Sequence, residues 1–311
     1  MEHIPYFDAH CDTIYRCLRT GAQLRENDGH LDLHRASSFG RFAQVFALYQ
    51  DPEELPRGST MVREGRLLHR RFLQEMEQNR DVIVPCRTGA EVDRAAADGK
   101  MAAILSIEGA ELIGCDPGQV ETAAEWGVRF LNPVWNWPNV LSGTNCQERS
   151  RGLSGQGRAF VREMERLGML VDVSHLFDPG FWDVLEMARR PVIASHSNAR
   201  AVCPHTRNLT DEQFTAIIKN QGVVGLNLCR EFVGGREDVD ALAAHLEHFL
   251  ALGGEHTVAL GGDLDGCEPV KGVPDIAGWA VFYERLLQLN YKESLLEHLF
   301  YHNFMRVVSQ L

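Results

Sequence analysis

Several common functional classes are poorly served by this 311-residue chain. Basic residues are scarce relative to acidic ones, 31 Lys and Arg against 43 Asp and Glu, for a formal net charge of −12. A surface that attracts phosphate backbones or anionic lipid is therefore not expected, and a nucleic-acid partner is excluded as a first reading. No apolar run approaches the roughly 20 residues of a membrane span. The opening MEHIPYFDAHCDT has neither a basic leader nor a long apolar stretch, so the expectation is a cytoplasmic protein with no membrane partner. The eight cysteines form no CxxC pair. In a chain of this size that pattern reads as reduced thiols rather than a disulfide frame, and none has metal-ligand spacing. No GxGxxG or GxxxxGK motif follows an early apolar run, which removes the usual signals of dinucleotide and nucleoside triphosphate binding. Low-complexity segments, fixed-period repeats and linkers are also missing, and one domain over residues 1–311 is expected.

What the chain does have is a regular alternation. Eight short apolar runs rich in β-branched residues recur: IPYFDAH, FAQVFALY, MAAILSIEG, VRFLNPVW, GMLVDVSH, PVIASHS, GVVGLNLC and HTVALGGDLDG. Each suits a buried parallel strand. Between most of them lie amphipathic stretches. Leu68, Phe72 and Met76 share one helical face, as do Phe160, Val161, Met164 and Leu167, and later Leu242, Leu246, Phe249 and Leu250. Thr210 and Gln213 have capping-box spacing ahead of Phe214, Ile217 and Ile218, and an apolar stripe through Leu296, Leu299, Phe304 and Val308 predicts a last helix. Strand and helix alternating eight times predict an α/β fold, a closed (β/α)8 barrel of the TIM type. An open doubly wound sheet is the alternative. Residues 20–40 and 136–157 read as loops over the barrel rim.

The chemistry lies in what ends the runs. The first closes with His10 and Asp12, the third with Glu108, the fifth with His175, the sixth with His196 and the eighth with Asp263 and Asp265. Parallel barrel strands open their C-terminal ends on one face, so these residues are expected to converge there. His10 and Asp12, two apart on an extended segment, point to the same side. Imidazole and carboxylate together suit zinc better than manganese, iron or cobalt. His10, Asp12, Glu108, His175 and His196 exceed the three protein ligands of one catalytic zinc, and a pair of ions roughly 3.5 to 4 Å apart, bridged by a carboxylate, accommodates all five. His245 and His248 fall in a helix and read as solvent-side or packing residues. His30, His34, His69, His298 and His302 lack a strand-end position and are left out of the site.

Taken in order, FDAHCDT, GHLDLHR, SIEGAE, GLSGQGRAFVREMERLGMLVDVSH, PVIASHSNARAVCPHTRNLTD, GVVGLNL and GGDLDG resemble the renal dipeptidase family, zinc peptidases within the amidohydrolase superfamily. The resemblance runs nearly the whole chain. It implies that His10 and Asp12 bind one zinc, that Glu108 bridges to a second, and that His175 and His196 complete the second. It further implies that Asp263 handles protons at the scissile amide and that Arg207 salt-links the terminal carboxylate of a dipeptide substrate. Such chemistry is sound: paired zinc ions bring the pKa of a bridging water toward about 7 and polarise a carbonyl. A nearby aspartate can take the water's proton and return it to the leaving amine, and the planar fork of an arginine matches a carboxylate. A homodimer is expected from the resemblance and from the commonness of twofold assemblies.

One position departs from the mammalian pattern. Where that type carries a histidine at the end of the fourth strand, thought to steady the carbonyl oxygen, this chain has Trp135 within NPVWNWPN. Indole offers one donor and no titrating group near neutrality. A metal acting alone, Asn136 or another residue in the histidine's place, or a substrate other than a simple dipeptide are the open readings, and Trp135 and Trp137 equally suit apolar pocket walls. N-acyl amino acids, lactones and cyclic amides are the alternative substrates. A barrel that only binds is disfavoured, because every expected ligand is present.

Overall fold

Apolar runs buried on both faces of a sheet have few options other than a parallel barrel wrapped in helices. In the computed structural model, which describes residues 4–311, nine parallel strands form: β1 (Pro5–Cys11), β2 (Arg41–Tyr49), β3 (Ile83–Pro85), β4 (Met101–Glu108), β5 (Val128–Asn132), β6 (Leu170–Val171), β7 (Ile193–Ala194), β8 (Val223–Leu226) and β9 (Val258–Leu260). Eight run in the order β6-β5-β4-β2-β1-β9-β8-β7. The two ends of that series meet through the bridge between Asp172 and Ile193, with the Val173 amide donating to Ile193 O at 2.8 Å, so the sheet closes into the expected (β/α)8 barrel. The three-residue β3 falls outside the eight predicted runs. It pairs with β4 over Met101–Ala103, ahead of the stretch from Leu105 where β5 takes over.

Helices pack outside the barrel, and their starts follow from capping. Thr60, Thr88, Ser154, Thr210 and Asp238 each accept a backbone N–H from the first turn of the helix they precede, and Thr210 with Gln213 forms the full capping box. Phe46 of β2 faces the helix Met61–Gln78, its ring 6.2 Å from Phe72. The predicted terminal helix is three pieces: Glu293–Glu297, a π turn His298–His302, and Asn303–Val308. The wider turn buries three consecutive residues, Leu299, Phe300 and Tyr301. Phe304 then lies 4.8 Å from Phe7 on β1 and 5.5 Å from Phe130 on β5. Those strands stand three places apart in the sheet, so Phe304 plugs the barrel at the end opposite the strand C-termini.

Residues 20–40 and 136–157 are mostly irregular, with a helical turn at Leu33–Ala36 capped by Asp32 and a helix beginning at Gly155. The runs predicted around β6 and β7 yield only two laddered residues each. Past Val173 and Ala194 the next amides leave the ladder: Ser174 N and Ser195 N both donate to the Asp172 carboxylate, at 3.0 and 3.1 Å.

Candidate metal centre

A reversal in β1 aims the first pair of candidate ligands. Phe7 contacts the plug inside the barrel, and strict alternation from it would turn His10 outward. Instead, Asp8 pairs with Gln44 and Cys11 with Phe46, three residues on β1 against two on β2. That one-residue bulge changes the parity and sends His10 and Asp12 inward. Its freed His10 amide donates to Asp8 Oδ1 at 2.9 Å, while the same carboxylate accepts from Gly262 N at 3.1 and 2.9 Å and from Tyr6 Oη at 3.1 Å. Asp8 thus joins β1 to the segment that carries Asp263. Sequence reasoning missed it, although a lone aspartate inside the apolar run IPYFDAH was a visible signal.

At the strand C-termini His10, Asp12, Glu108, His175, His196 and Asp263 come together, all but Asp263 at 3% exposure or less. Glu108 sits centrally with its two oxygens facing different partners. Oε2 lies 3.6 Å from His10 Nε2, whereas Oε1 lies 2.8 Å from His175 Nε2 and 3.3 Å from His196 Nε2. His10 Nε2 is also 3.6 Å from Asp12 Oδ2 and 3.9 Å from Asp263 Oδ1. Donor atoms of His10, Glu108 and His196 lie within 4.8 Å of one another, as do those of His10, Asp12 and Asp263. Two overlapping donor groups sharing His10 result.

Burial and mutual attraction compete across the cluster. Burial works against a charged His10 ring, yet Glu108 and Asp12 outweigh it and raise its pKa well above the ordinary value. Glu108 is held well below the usual carboxylate range by His10 and His175 despite its burial. Burial pushes Asp12 up to about 7, with Glu108 and Asp263 adding to the rise and His10 opposing it. His175 falls to about 4 through burial and the nearby Arg207, and His196 falls well below its ordinary value through burial and His10. Burial also raises Asp263. His10 Nε2 and Asp12 Oδ1 are buried with no hydrogen-bond partner among the described residues. Three carboxylates and three imidazoles, with unpartnered buried polar atoms among them, are a fitting donor set for divalent cations.

Around this cluster is a cavity of about 270 Å³. Trp135 forms a wall with Tyr49, ring centroids 4.9 Å apart, and lies 6.3 Å from the His175 ring. Asn136 also lines the cavity, but its amide oxygen is engaged by His175 Nδ1 at 3.0 Å. Arg207 is buried, its Nη1 donating to Ser174 O, its Nη2 3.1 Å from His175 Nε2 and its guanidinium 5.3 Å from the Phe232 ring. Burial lowers its pKa against the attraction of Asp263 and Glu108. Among the described residues Arg207 has no carboxylate within ion-pair distance. Asp263 and Asp265 both have left-handed backbone, φ 56° and 67°. Asp263 accepts from Asn227 Nδ2 at 3.2 Å. Asp265 turns away from the cluster to accept from Thr13 Oγ1 at 2.6 Å and His30 N at 2.7 Å, and its own amide donates to His30 Nδ1. His30 therefore ties the 20–40 loop to the rim. His245 is a packing residue, accepting from Ala199 N and donating to Val233 O, while His248 pairs with Asp211. A larger surface hollow of about 910 Å³, between Arg162, Arg166, Arg189 and Arg190, contains no histidine, cysteine or aspartate.

The family model of membrane dipeptidases (peptidase family M19) matches residues 1–311. A metallo peptidase from Rhodobacter sphaeroides, solved with a phosphinate mimic of the dipeptide L-Ala-D-Ala, is 31% identical with a TM-score of 0.89, covering 99% of each chain. A structure described as dipeptidase AC of family M19 is 33% identical with a TM-score of 0.90, covering 99% of this chain and 98% of its own. A Klebsiella pneumoniae protein described as uncharacterized, from the pqqA 5′ region, is 33% identical over 238 residues, 73% of this chain and 88% of its own. No helix among the described residues is long and apolar enough to cross a membrane.

Proposed function

Because this chain belongs to the membrane dipeptidase family, peptidase family M19, and is a metal-dependent dipeptidase, we propose that it works with two zinc ions, on dipeptides that include those with a D-residue at the C-terminal position. The observation that carries the binuclear reading is the division of Glu108, one oxygen toward His10 and the other toward His175 and His196. A single ion has no need of a carboxylate that faces two donor groups. His10 and Asp12 would hold one ion, His175 and His196 the other, with Glu108 shared. When bound, the pair supplies an activated water and a polarised amide carbonyl.

The chain's own residues do the rest. Asp263, at the edge of the cluster and steadied by Asn227, takes a proton from the attacking water and delivers it to the leaving amine, which would otherwise depart as an anion. Arg207, buried and free of any carboxylate partner among the described residues, binds the C-terminal carboxylate through its planar fork. Trp135 and Tyr49 shape the wall beside His175. A cavity of about 270 Å³ suits a substrate of two residues. Support for D-residues comes from the Rhodobacter sphaeroides relative and the L-Ala-D-Ala mimic it was solved with. The whole chain acts as one hydrolase domain, and we place it, as a homodimer, in a reducing cytoplasm that suits its eight free thiols.

A second reading keeps the metals and changes the substrate to an N-acyl amino acid, lactone or cyclic amide, favoured by Trp135 standing where a histidine is expected. Assay of the purified protein on L,L- and L,D-dipeptides and on acyl-amino acids separates the two. Turnover of dipeptides is the expected result. Silence toward every dipeptide with turnover of acyl-amino acids would move the assignment.

A further inference from the structure

A metal-ligating histidine needs its second ring nitrogen protonated and held, so that the lone pair of the first faces the ion. The ring of His196 has a chain of groups arranged for this. Its Nδ1 lies 2.7 Å from Ser195 Oγ, which lies 3.3 Å from Ser174 Oγ, which lies 2.7 Å from Asp172 Oδ1. All four residues are at 2% exposure or less.

Counting donors fixes the Asp172 end of the chain and gives the rest one consistent direction, with the Ser195 hydroxyl turned toward Ser174. Asp172 Oδ1 already accepts the amides of Ser174 and Ser195, at 3.0 and 3.1 Å, and an amide N–H can only donate, so this oxygen is an acceptor. The Ser174 hydroxyl must therefore donate to it. Having one hydrogen, Ser174 Oγ can only accept elsewhere, and it does so from His196 N at 3.2 Å. Any bond across its 3.3 Å contact with Ser195 is then one donated by Ser195. A Ser195 hydroxyl so oriented accepts from the ring, which puts the proton of His196 on Nδ1 and turns the lone pair of Nε2 toward Glu108 and His175.

We infer that Asp172, acting through Ser174 and Ser195, is a positioning residue that holds His196 in the Nδ1–H form and so presents Nε2 to the metal centre. The device meets a specific competitor. Glu108 Oε1, 3.3 Å from His196 Nε2, is a stronger acceptor than a serine hydroxyl and would draw the ring proton to the wrong nitrogen before metal arrives. Backbone rigidity favours the relay, because the Ser195 carbonyl packs against Gly225 and Gly261 where a Cβ would overlap it. His175 has a shorter arrangement of the same kind, Nδ1 meeting Asn136 Oδ1.

The inference rests on the proposed role of His196 as a ligand, and its test separates the two. In metal-free protein, ¹⁵N spectra of the histidine rings, assigned with His196→Gln, should show His196 protonated at Nδ1, and Ser195→Ala should shift it toward the Nε2–H form. Zinc titrated into metal-free Ser195→Ala should bind about 10 to 100-fold more weakly than to the unaltered chain. Ser195→Ala removes only a hydroxyl, whereas Asp172→Asn also disturbs two backbone amides and serves as the second variant. An Nε2–H ring in the unaltered protein, or a tautomer and zinc affinity indifferent to Ser195→Ala, overturns the relay. An unaltered protein that keeps the Nδ1–H form but binds no zinc overturns the metal-centre reading instead.

Discussion

Removing the Asp8 carboxylate should damage both the barrel and the site. In Asp8→Ala the amides of His10 and Gly262 lose their acceptor in a fully buried place. An orphaned buried donor costs about 1 to 3 kcal/mol, so the two together cost about 2 to 6 kcal/mol. That is a large share of the roughly 5 to 15 kcal/mol by which a domain is stable. Asp8→Asn is milder, since its remaining oxygen can still accept from His10 N and its amide can donate to the Tyr6 hydroxyl. A loss of about one hydrogen bond, about 1 kcal/mol, is expected there. Urea unfolding followed by circular dichroism measures both, with midpoints falling in the order unaltered, Asn, Ala at constant slope. Without the bulge His10 faces outward, so Asp8→Ala that remains folded should also lose zinc. A loss under about 1 kcal/mol for Asp8→Ala, with metal retained, would refute the argument that this carboxylate sustains the reversal in β1.

Other consequences are equally direct. Arg207→Ala should impair peptides with a free C-terminus far more than their amidated counterparts, and equal losses in kcat/KM on both would remove its assignment to the carboxylate. Gly266→Ala would place a Cβ over the Asp12 carboxylate and against Asp263, so metal content and turnover should fall with little change in thermal midpoint; full activity would show the cluster is looser than described. His245, fully buried, has its pKa lowered by burial, so its folded value lies below its unfolded value of about 6.5. The neutral ring's contribution is then complete above that pH and lost as pH falls toward the folded value, at up to about 1.4 kcal/mol per pH unit. His245→Gln should flatten the stability profile just below about pH 6.5, and an unchanged slope there would contradict it.

Much of the architecture was legible because buried parallel strands are continuous apolar runs and their intervening helices are amphipathic. The lengths of β6 and β7 were not, since GMLVDVSH and PVIASHS look like full strands until Asp172 is seen to take the amides of Ser174 and Ser195. β3, three residues ending in proline, is too short for any periodicity to register. At the site, strand-end position was enough to single out His10, Glu108, His175 and His196. The direction in which His10 points depends on a one-residue bulge, and sequence spacing constrains only that Asp12 points with it. Asp8, Asp172, Ser174 and Ser195 escaped notice because they act through backbone amides and a ring nitrogen, contacts that exist only once distant strands are side by side. Asn136, read as a possible substitute for the missing histidine, lines the cavity with its amide oxygen bonded to His175, an arrangement no local pattern reveals.

The central claim is that one carboxylate joins two donor groups around a pair of ions. Metal analysis of the gently purified protein, compared with Glu108→Ala, tests it most directly. The account predicts close to two zinc per chain, dropping below one in the variant together with dipeptide turnover. Absence of metal from the unaltered protein, or two ions retained after Glu108→Ala, would contradict it.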